Sequence, residues 1–194
     1  MKNITVFCGS NSGFRHDYRQ AAETLARLFV QNDIRLIYGG GNVGLMGIIA
    51  DEVMRRGGEV IGIIPDSLDR KEVGHRGITE LRVVESMHER KAQMAELADG
   101  FIAMPGGIGT FEEFFEILTW AQLGFHDKPC AVLNIAGYYD GLLALCDNAV
   151  SEGFLRPAHR QLILEDSDPE TLLEKMRNLK PLRLEKWIDK EEEL

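Results

Sequence analysis

Short apolar runs alternate regularly with segments of helical spacing along most of this chain. Short apolar runs are typical of buried strands, and apolar residues that recur every three or four positions indicate helices. This alternation predicts an α/β fold, a doubly wound parallel sheet with helices on both faces. We expect strands over residues 4–8, 34–38, 60–64, 81–84, 101–104, 131–134 and 162–164, and helices over residues 18–30, 45–56, 87–98, 110–123 and 138–151, with a last helix after Asp168.

The length of 194 residues fits one domain, which we expect to span residues 1–180, followed by a charged tail over residues 181–194. No apolar run approaches the length that crosses a membrane, and the first residues lack the apolar core of a signal peptide. We therefore expect a cytoplasmic protein that makes no membrane contact. The net charge of −9 disfavours a nucleic-acid partner, because such proteins normally display a basic surface.

Cysteine and histidine spacing gives no sign of a metal or a disulfide framework. Cys8, Cys130 and Cys146 lie in apolar stretches and form no Cys-x-x-Cys pair, so we expect reduced core residues. The five histidines lack the spacing of metal ligands. We expect neither a metal nor a cofactor.

The first glycine loop follows the second predicted strand. Gly39, Gly41 and Gly44 fit the G-x-G-x-x-G pattern of dinucleotide-binding proteins, which places a pyrophosphate on a helix N-terminus. That pattern normally follows the first strand, and the acid expected to hold a ribose, Asp66, lies in a loop. A purely structural role for these glycines, in a tight strand-to-helix turn, is favoured over NAD binding.

The second glycine loop, Pro105-Gly106-Gly107-Ile108-Gly109-Thr110, ends a buried strand and opens a helix. Glycines let a ligand approach the backbone, and free N–H groups at a helix start attract phosphate. The acids Glu112 and Glu113 follow at once. Thr110 and Glu113 match a capping box, so a structural role and a role in holding or cleaving a nucleotide are about equally favoured for Glu113.

Two cations occupy the start of another predicted helix. Ser86 and Glu89 form a possible capping box, and Arg90 and Lys91 follow within the first turn, where the helix dipole disfavours them. Exposure of both side chains to solvent, which screens the helix dipole, would explain these cations without a ligand. An anion bound between this helix start and the second glycine loop is the favoured explanation, since arginine suits phosphate recognition.

These residues together resemble a known family. Met87-His88-Glu89-Arg90-Lys91 followed about 15 residues later by Pro105-Gly106-Gly107-Ile108-Gly109-Thr110-Phe111-Glu112-Glu113 is similar to the Lonely Guy family, the cytokinin riboside 5′-monophosphate phosphoribohydrolases, often labelled possible lysine decarboxylases. The resemblance extends from residues 6–10 through residues 39–47 to residues 119–124, and it shows no departure from either motif.

The resemblance implies a Rossmann-like fold, a homodimer, and hydrolysis of the N-glycosidic bond in a nucleoside 5′-monophosphate, AMP or N6-prenyl-AMP. It implies that Arg90 and Glu113 form the catalytic pair. The substrate-binding residues that it implies are Glu72, Arg90, Lys91, Gly106, Gly107, Ile108, Gly109, Thr110, Glu112 and, less strongly, Thr119.

Alternatives of other classes remain. A carrier or sensor with the same loops would bind a nucleotide without releasing a product, an NAD-dependent oxidoreductase would use the first glycine loop, and a single-stranded DNA binder is disfavoured by the net charge. The helix over residues 110–123 is apolar on more than one side, which favours burial in a homodimer interface in addition to the core.

Overall fold

The computed structural model describes residues 1–70 and 74–180. Seven parallel strands form one sheet in the order β4-β3-β2-β1-β5-β6-β7. The strands are β1 (Asn3–Phe7), β2 (Arg35–Tyr38), β3 (Val60–Pro65), β4 (Glu80–Val84), β5 (Gly100–Ala103), β6 (Cys130–Leu133) and β7 (Ile163–Asp166). The helices are α1 (His16–Gln31), α2 (Gly44–Arg55), α3 (Asp66–Leu68), α4 (Met87–Leu97), α5 (Ile108–Gln122), α6 (Asp140–Ser151), α7 (Pro157–Arg160) and α8 (Pro169–Asn178).

The predicted fold class is confirmed. The central strands are buried on both faces because helices cover both sides of a parallel sheet, and every residue of β3, β5 and β6 is buried. Strand β1 lies between β2 and β5, with Val6 in register with Tyr38 on one side and Ile102 on the other.

Two apolar cores flank the sheet. Helices α1, α2 and α8 pack on one face, and α4, α5 and α6 pack on the other. In α1 the buried apolar residues recur with the helical period that the sequence shows, from Ala21 and Leu25 to Phe29. All three cysteines are buried and free, as predicted.

The predicted elements agree with the structure except at some ends. Asp168 caps α8 by accepting a hydrogen bond from the Thr171 amide over 2.8 Å, with Pro169 at the first helical position, as predicted. The short helices α3 and α7 have too few residues to show a period, and the sequence interpretation missed both. The tail over residues 181–194 lies outside the described residues, so the domain boundary at residue 180 remains a prediction.

Over the described ranges, no helix is both long and apolar enough to span a membrane. Within the same residues, no cluster of three or more histidine, cysteine, aspartate or glutamate side chains is arranged to hold a metal ion.

Candidate active site

The candidate site lies where the strand order of the sheet reverses. The chain leaves β1 and β5 in adjacent loops at their carboxyl ends, the usual ligand position in such sheets. The Gly9 amide in the first of these loops donates to the Pro105 carbonyl in the second over 3.0 Å. A pocket of about 280 Å³ opens there, and its lining includes Ser10, Asn11, Tyr18, Gly106, Gly107 and Tyr138.

The second glycine loop ends in a helix start with free amides. Helix α5 begins at Ile108, and Gly107 precedes it in an extended conformation with no side chain capping the helix. In the described chain, the first amide of α5 with a backbone partner belongs to Phe111, which donates to the Gly107 carbonyl over 3.1 Å. A side-chain atom added at Gly107 or Gly109 would meet nothing within 4 Å. The loop thus presents N–H groups and the positive end of the helix dipole to open space, which suits an anion.

The capping box considered for α5 is wrong. Because Gly107 is the N-cap, the helix begins three residues earlier than a Thr110 cap would allow. Thr110 is buried in the first turn, where its hydroxyl lies against Gly106. Glu113 is too far along the helix to reach the N-cap amide, and its carboxylate pairs with Arg90 instead.

Arg90 and Glu113 form a buried ion pair. Arg90 Nη1 lies 2.7 Å from Glu113 Oε1, and each side chain is only 10% exposed. Arg90 Nε also donates to the Ile63 carbonyl, in the second half of β3, over 3.1 Å. The two residues that the family resemblance marks as catalytic therefore meet in the structure, although they are 23 positions apart.

The start of α4 directs the side chains of Arg90 and Lys91 toward the protein interior. Ser86 Oγ accepts a hydrogen bond from the Glu89 amide over 3.1 Å, which confirms the predicted N-cap. The Glu89 carboxylate accepts from the Glu85 amide over 2.9 Å, one residue earlier than a standard capping box. With the helix fixed in this way, Arg90 is buried at the strand ends and Lys91 faces α5.

Burial controls the protonation of Glu113. Removal from water raises the pKa of the Glu113 carboxyl above its ordinary value of 4.5, and the positive charge of Arg90 partly opposes this rise. Burial also raises the pKa of the neighbouring Cys8 thiol, and the Glu113 carboxylate raises it further. The Cys8 thiol therefore stays neutral, and the Glu113 carboxylate is a stronger base than an exposed glutamate.

Lys91 is held by two carboxylates of α5. Its Nζ lies 2.6 Å from Glu112 Oε1 and 3.0 Å from Glu116 Oε1. Burial alone lowers the pKa of Lys91, but the hydrogen bonds that Lys91 donates to Glu112 and Glu116, together with their negative charges, outweigh burial and raise the pKa overall. The second carboxylate oxygen of Glu116 is buried without a partner in the described chain. Glu116 was not among the predicted residues, although its spacing of four from Glu112 places both on one helix face.

The chain is similar to proteins of a known family. Residues 46–176 match the protein family described as "Possible lysine decarboxylase". A protein of Oryza sativa subsp. japonica named "Probable cytokinin riboside 5'-monophosphate phosphoribohydrolase LOGL9" is 49% identical over 93% of this chain and 80% of its own length. The chain belongs to this family, the Lonely Guy family.

A further relative agrees with this assignment, and two solved structures share the fold alone. The cytokinin riboside 5′-monophosphate phosphoribohydrolase of Rhodococcoides fascians is 48% identical over 91% of this chain and 90% of its own. The molybdenum cofactor binding protein of Rippkaea orientalis shares the fold, with a TM-score of 0.68, 21% identity and coverage of 91% and 96% of the two chains. The molybdenum cofactor carrier protein of Chlamydomonas reinhardtii does so with a TM-score of 0.65, 18% identity and coverage of 90% and 99%.

The first glycine loop of this Lonely Guy protein leaves no room for a dinucleotide. Gly44 adopts a φ of +60°, and a side chain there would lie 2.3 Å from the Ser10 carbonyl carbon. The amide of Leu45 at the start of α2 donates to the Gly9 carbonyl over 3.0 Å. Because the chain itself occupies this helix N-terminus, the structure supports the interpretation as a tight turn and argues against NAD binding.

One predicted residue, Thr119, lies apart from this cluster. Thr119 is exposed two turns further along α5, and its hydroxyl donates to the Phe115 carbonyl over 2.7 Å. Its role in substrate binding remains a prediction. Glu72 lies outside the described residues, and its role in substrate binding also remains a prediction.

The sequence interpretation missed an aromatic group beside the second glycine loop. The Tyr138 hydroxyl donates to the Gly106 carbonyl, and the Tyr139 hydroxyl donates to the Met104 carbonyl over 2.6 Å. Tyr18 packs edge-on against Tyr138 with ring centroids 5.8 Å apart. The available signal was position, since Tyr138 and Tyr139 follow β6 at the same edge of the sheet as the glycine loops.

Proposed function

We propose that the protein hydrolyses the N-glycosidic bond of an adenosine 5′-monophosphate, plain or N6-prenylated, and releases the free base and ribose 5-phosphate. The activity is that of a phosphoribohydrolase similar to an AMP nucleosidase. The observation that carries the proposal is the buried contact of Arg90 with Glu113 near the open N-terminus of α5. Relatives that share nearly half of the sequence are named for this reaction on cytokinin riboside 5′-monophosphates.

The 5′-phosphate binds at the second glycine loop in this proposal. The amides of residues 106–110 supply hydrogen bonds and a positive dipole, and the open space over Gly107 and Gly109 admits the phosphate oxygens. Lys91 adds a positive charge on the neighbouring helix. Glu112 holds Lys91 in place before the substrate arrives. Binding energy from the phosphate then serves to position the sugar carbon that reacts.

Glu113 acts on the sugar and on water. Its carboxylate accepts a proton from the attacking water, whose oxygen bonds to C1′ as the bond from C1′ to the base nitrogen breaks, and its charge stabilises the oxocarbenium-like transition state. A raised pKa makes Glu113 a stronger base than an exposed glutamate. The same proton then passes to the departing base, so protons balance over the reaction.

Arg90 supports Glu113 electrostatically. A guanidinium is too weak an acid to donate a proton to the departing base. Its contacts with the Ile63 carbonyl and Glu113 hold it in a buried position. From there its positive charge opposes the rise in the pKa of Glu113, which keeps more of the carboxylate ionised and ready to accept a proton.

Product analysis tests the proposal. Purified protein is incubated with AMP and separately with N6-isopentenyl-AMP, and base and ribose 5-phosphate are measured by chromatography. We expect release from both, with the ratio of rates giving the preferred base. Glu113→Gln is expected to abolish turnover while the chain stays folded. Glu174→Gln makes the same chemical change at an exposed position on α8 and is expected to keep full activity.

The second candidate, a nucleotide carrier or sensor, uses the same loops without chemistry. The fold is shared with molybdenum cofactor binding and carrier proteins, a likeness that concerns the fold alone. Binding of either nucleotide without any product would favour this candidate. Full turnover in Glu113→Gln would overturn the assignment of Glu113.

Lysine decarboxylation is not part of the proposal. A pyridoxal-dependent decarboxylase needs a lysine free to form a Schiff base and a partner for the pyridine nitrogen. At the candidate site, Lys91 is engaged by two carboxylates.

The proposal includes a cytoplasmic homodimer that binds no nucleic acid. The exposed part of α5 includes Ile108, which is 81% exposed, and Phe115, which is 36% exposed, and a second copy of the chain would cover such side chains. Light scattering at micromolar concentration should give twice the chain mass of 21.8 kDa. A monomer would contradict this part of the proposal.

A further inference from the structure

Gly39 lies directly against the guanidinium of Arg90. A side-chain atom added at Gly39 would fall 2.1 Å from Arg90 Nη2 and 3.2 Å from Cζ, far inside van der Waals contact. The next nearest atom, the sulfur of Met46, would be 3.5 Å away, an ordinary contact. The space that a side chain at Gly39 would need is therefore taken by Arg90.

Three close contacts define the position of this guanidinium, in addition to a longer one of 3.9 Å from Nη1 to the Met87 sulfur. Nε donates to the Ile63 carbonyl over 3.1 Å, Nη1 lies 2.7 Å from Glu113 Oε1, and Nη2 lies over Gly39. The three groups come from β3, from the residue after β2 and from α5. The Ile63 carbonyl and Gly39 thus determine where the guanidinium of Arg90 lies relative to the Glu113 carboxylate.

We infer that Gly39 is a positioning residue for Arg90, and that the glycine after β2 is required because it leaves room for the guanidinium. The inference rests on the proposed function, in which Arg90 acts on Glu113. It gives the first glycine of the G-x-G-x-x-G pattern a role in the reaction that is unrelated to binding a dinucleotide.

A methyl group at Gly39 should displace Arg90 and spare the fold. The φ of Gly39 lies outside the left-handed region, so alanine adopts the same backbone conformation without strain. The overlapping atoms are the far end of a flexible side chain, which yields more easily than backbone. To restore ordinary contact, Nη2 must retreat by about 1 Å, and a displacement of that size lowers catalysis by about 100-fold.

The experiment compares Gly39→Ala, Arg90→Lys and the double variant in the full-length protein, with Gly141→Ala as the matched control. Gly141 begins the exposed side of α6, and a methyl there meets nothing within 4 Å. We expect Gly39→Ala to lower kcat for AMP by about 100-fold, with KM changed by less than about threefold because the phosphate loop is untouched. In Arg90→Lys, which lacks the Nη2 atom, adding Gly39→Ala should lower kcat by no more than about twofold.

A direct signal from Arg90 makes the test independent of turnover. The buried Nε–H group of Arg90 is followed by proton–nitrogen NMR in each variant, and we expect its signal to shift in Gly39→Ala and to stay in place in Gly141→Ala. An unshifted Arg90 signal, or wild-type kcat in Gly39→Ala, would overturn the inference. If the wild type releases no base, the proposed function fails, whereas the position of the Arg90 signal still decides whether Gly39 seats the guanidinium.

Discussion

Two glycine loops leave the same edge of the sheet, residues 39–44 after β2 and residues 106–110 after β5, and their surroundings are opposite. A side chain at Gly44 in the first loop would overlap the backbone of Ser10 at 2.3 Å. A side chain at Gly109 in the second loop would meet nothing within 4 Å. The first loop is closed by the protein itself. In the second loop Gly106 packs against Thr110, and the loop is open from Gly107 onward, at the N-terminus of α5.

The difference shows that a glycine pattern indicates that some group lies close to the backbone, but does not indicate whether that group belongs to the protein or to a ligand. In the closed loop the approaching groups are the Ser10 backbone and the Arg90 guanidinium. In the open loop no protein atom approaches Gly107 or Gly109, so the free amides are available to a ligand. Substitutions in each loop should therefore have different effects.

The largest effect is expected for Gly44→Ala in the closed loop. The left-handed φ of +60° and the overlap with Ser10 together should lower the free energy of unfolding by about 3 kcal/mol. Urea denaturation followed by circular dichroism measures this value. A loss below about 1 kcal/mol would show that the first glycine loop and the loop containing Ser10 can move apart without strain. The first glycine loop would then not be closed by the protein.

Ile108→Pro should weaken substrate binding at the open loop. Ile108 is the first residue of α5, where proline fits well, and the extended Gly107 before it is compatible with proline. The change removes one amide donor, so KM for AMP should rise about tenfold or more, the usual effect of losing a hydrogen bond to a charged group. Ile108→Ala keeps the amide and serves as the control. Equal KM values in the two variants would mean that this amide does not contact the phosphate.

The pH dependence tests the buried pair beside the closed loop. Glu113 must be ionised to accept a proton, and burial raises its pKa, so activity should fall with decreasing pH at values above the ordinary carboxyl pKa of 4.5. Arg90 opposes the rise, so Arg90→Ala should raise the pKa of Glu113 further. The fall in activity is measured as kcat against pH. The pKa of Glu113 in the wild type and in Arg90→Ala is measured by carbon NMR titration of the carboxyl group. An unchanged pKa in Arg90→Ala would contradict the electrostatic role of Arg90.

The smallest effect is expected for Gly109→Ala in the open loop. The added methyl meets no atom, and alanine restricts the unfolded chain more than glycine does, so the free energy of unfolding should rise by about 0.5 kcal/mol. The same urea denaturation as for Gly44→Ala gives the value. A loss of more than about 1 kcal/mol would show that this loop, too, is closed by the protein.

Much of the fold was predictable from the sequence because its signals are local. Apolar runs and helical spacing predict the sheet and the main helices, since burial on one or both faces leaves a period in the sequence. The caps at Ser86 and Asp168 were predictable because each bonds to an amide three residues away. Short elements such as α3 and α7 were missed because three or four residues show no period.

The identities of the candidate site residues could be read from the sequence, through the glycine loops, the cations after Ser86 and the acids after Thr110. Their pairing depends on the tertiary structure. The fold pairs Glu113 with Arg90 instead of with a helix cap, and it closes one glycine loop while leaving the other open at Gly107 and Gly109. These contacts join elements that follow different strands, so the order of strands in the sheet, and not local spacing along the chain, determines which groups meet.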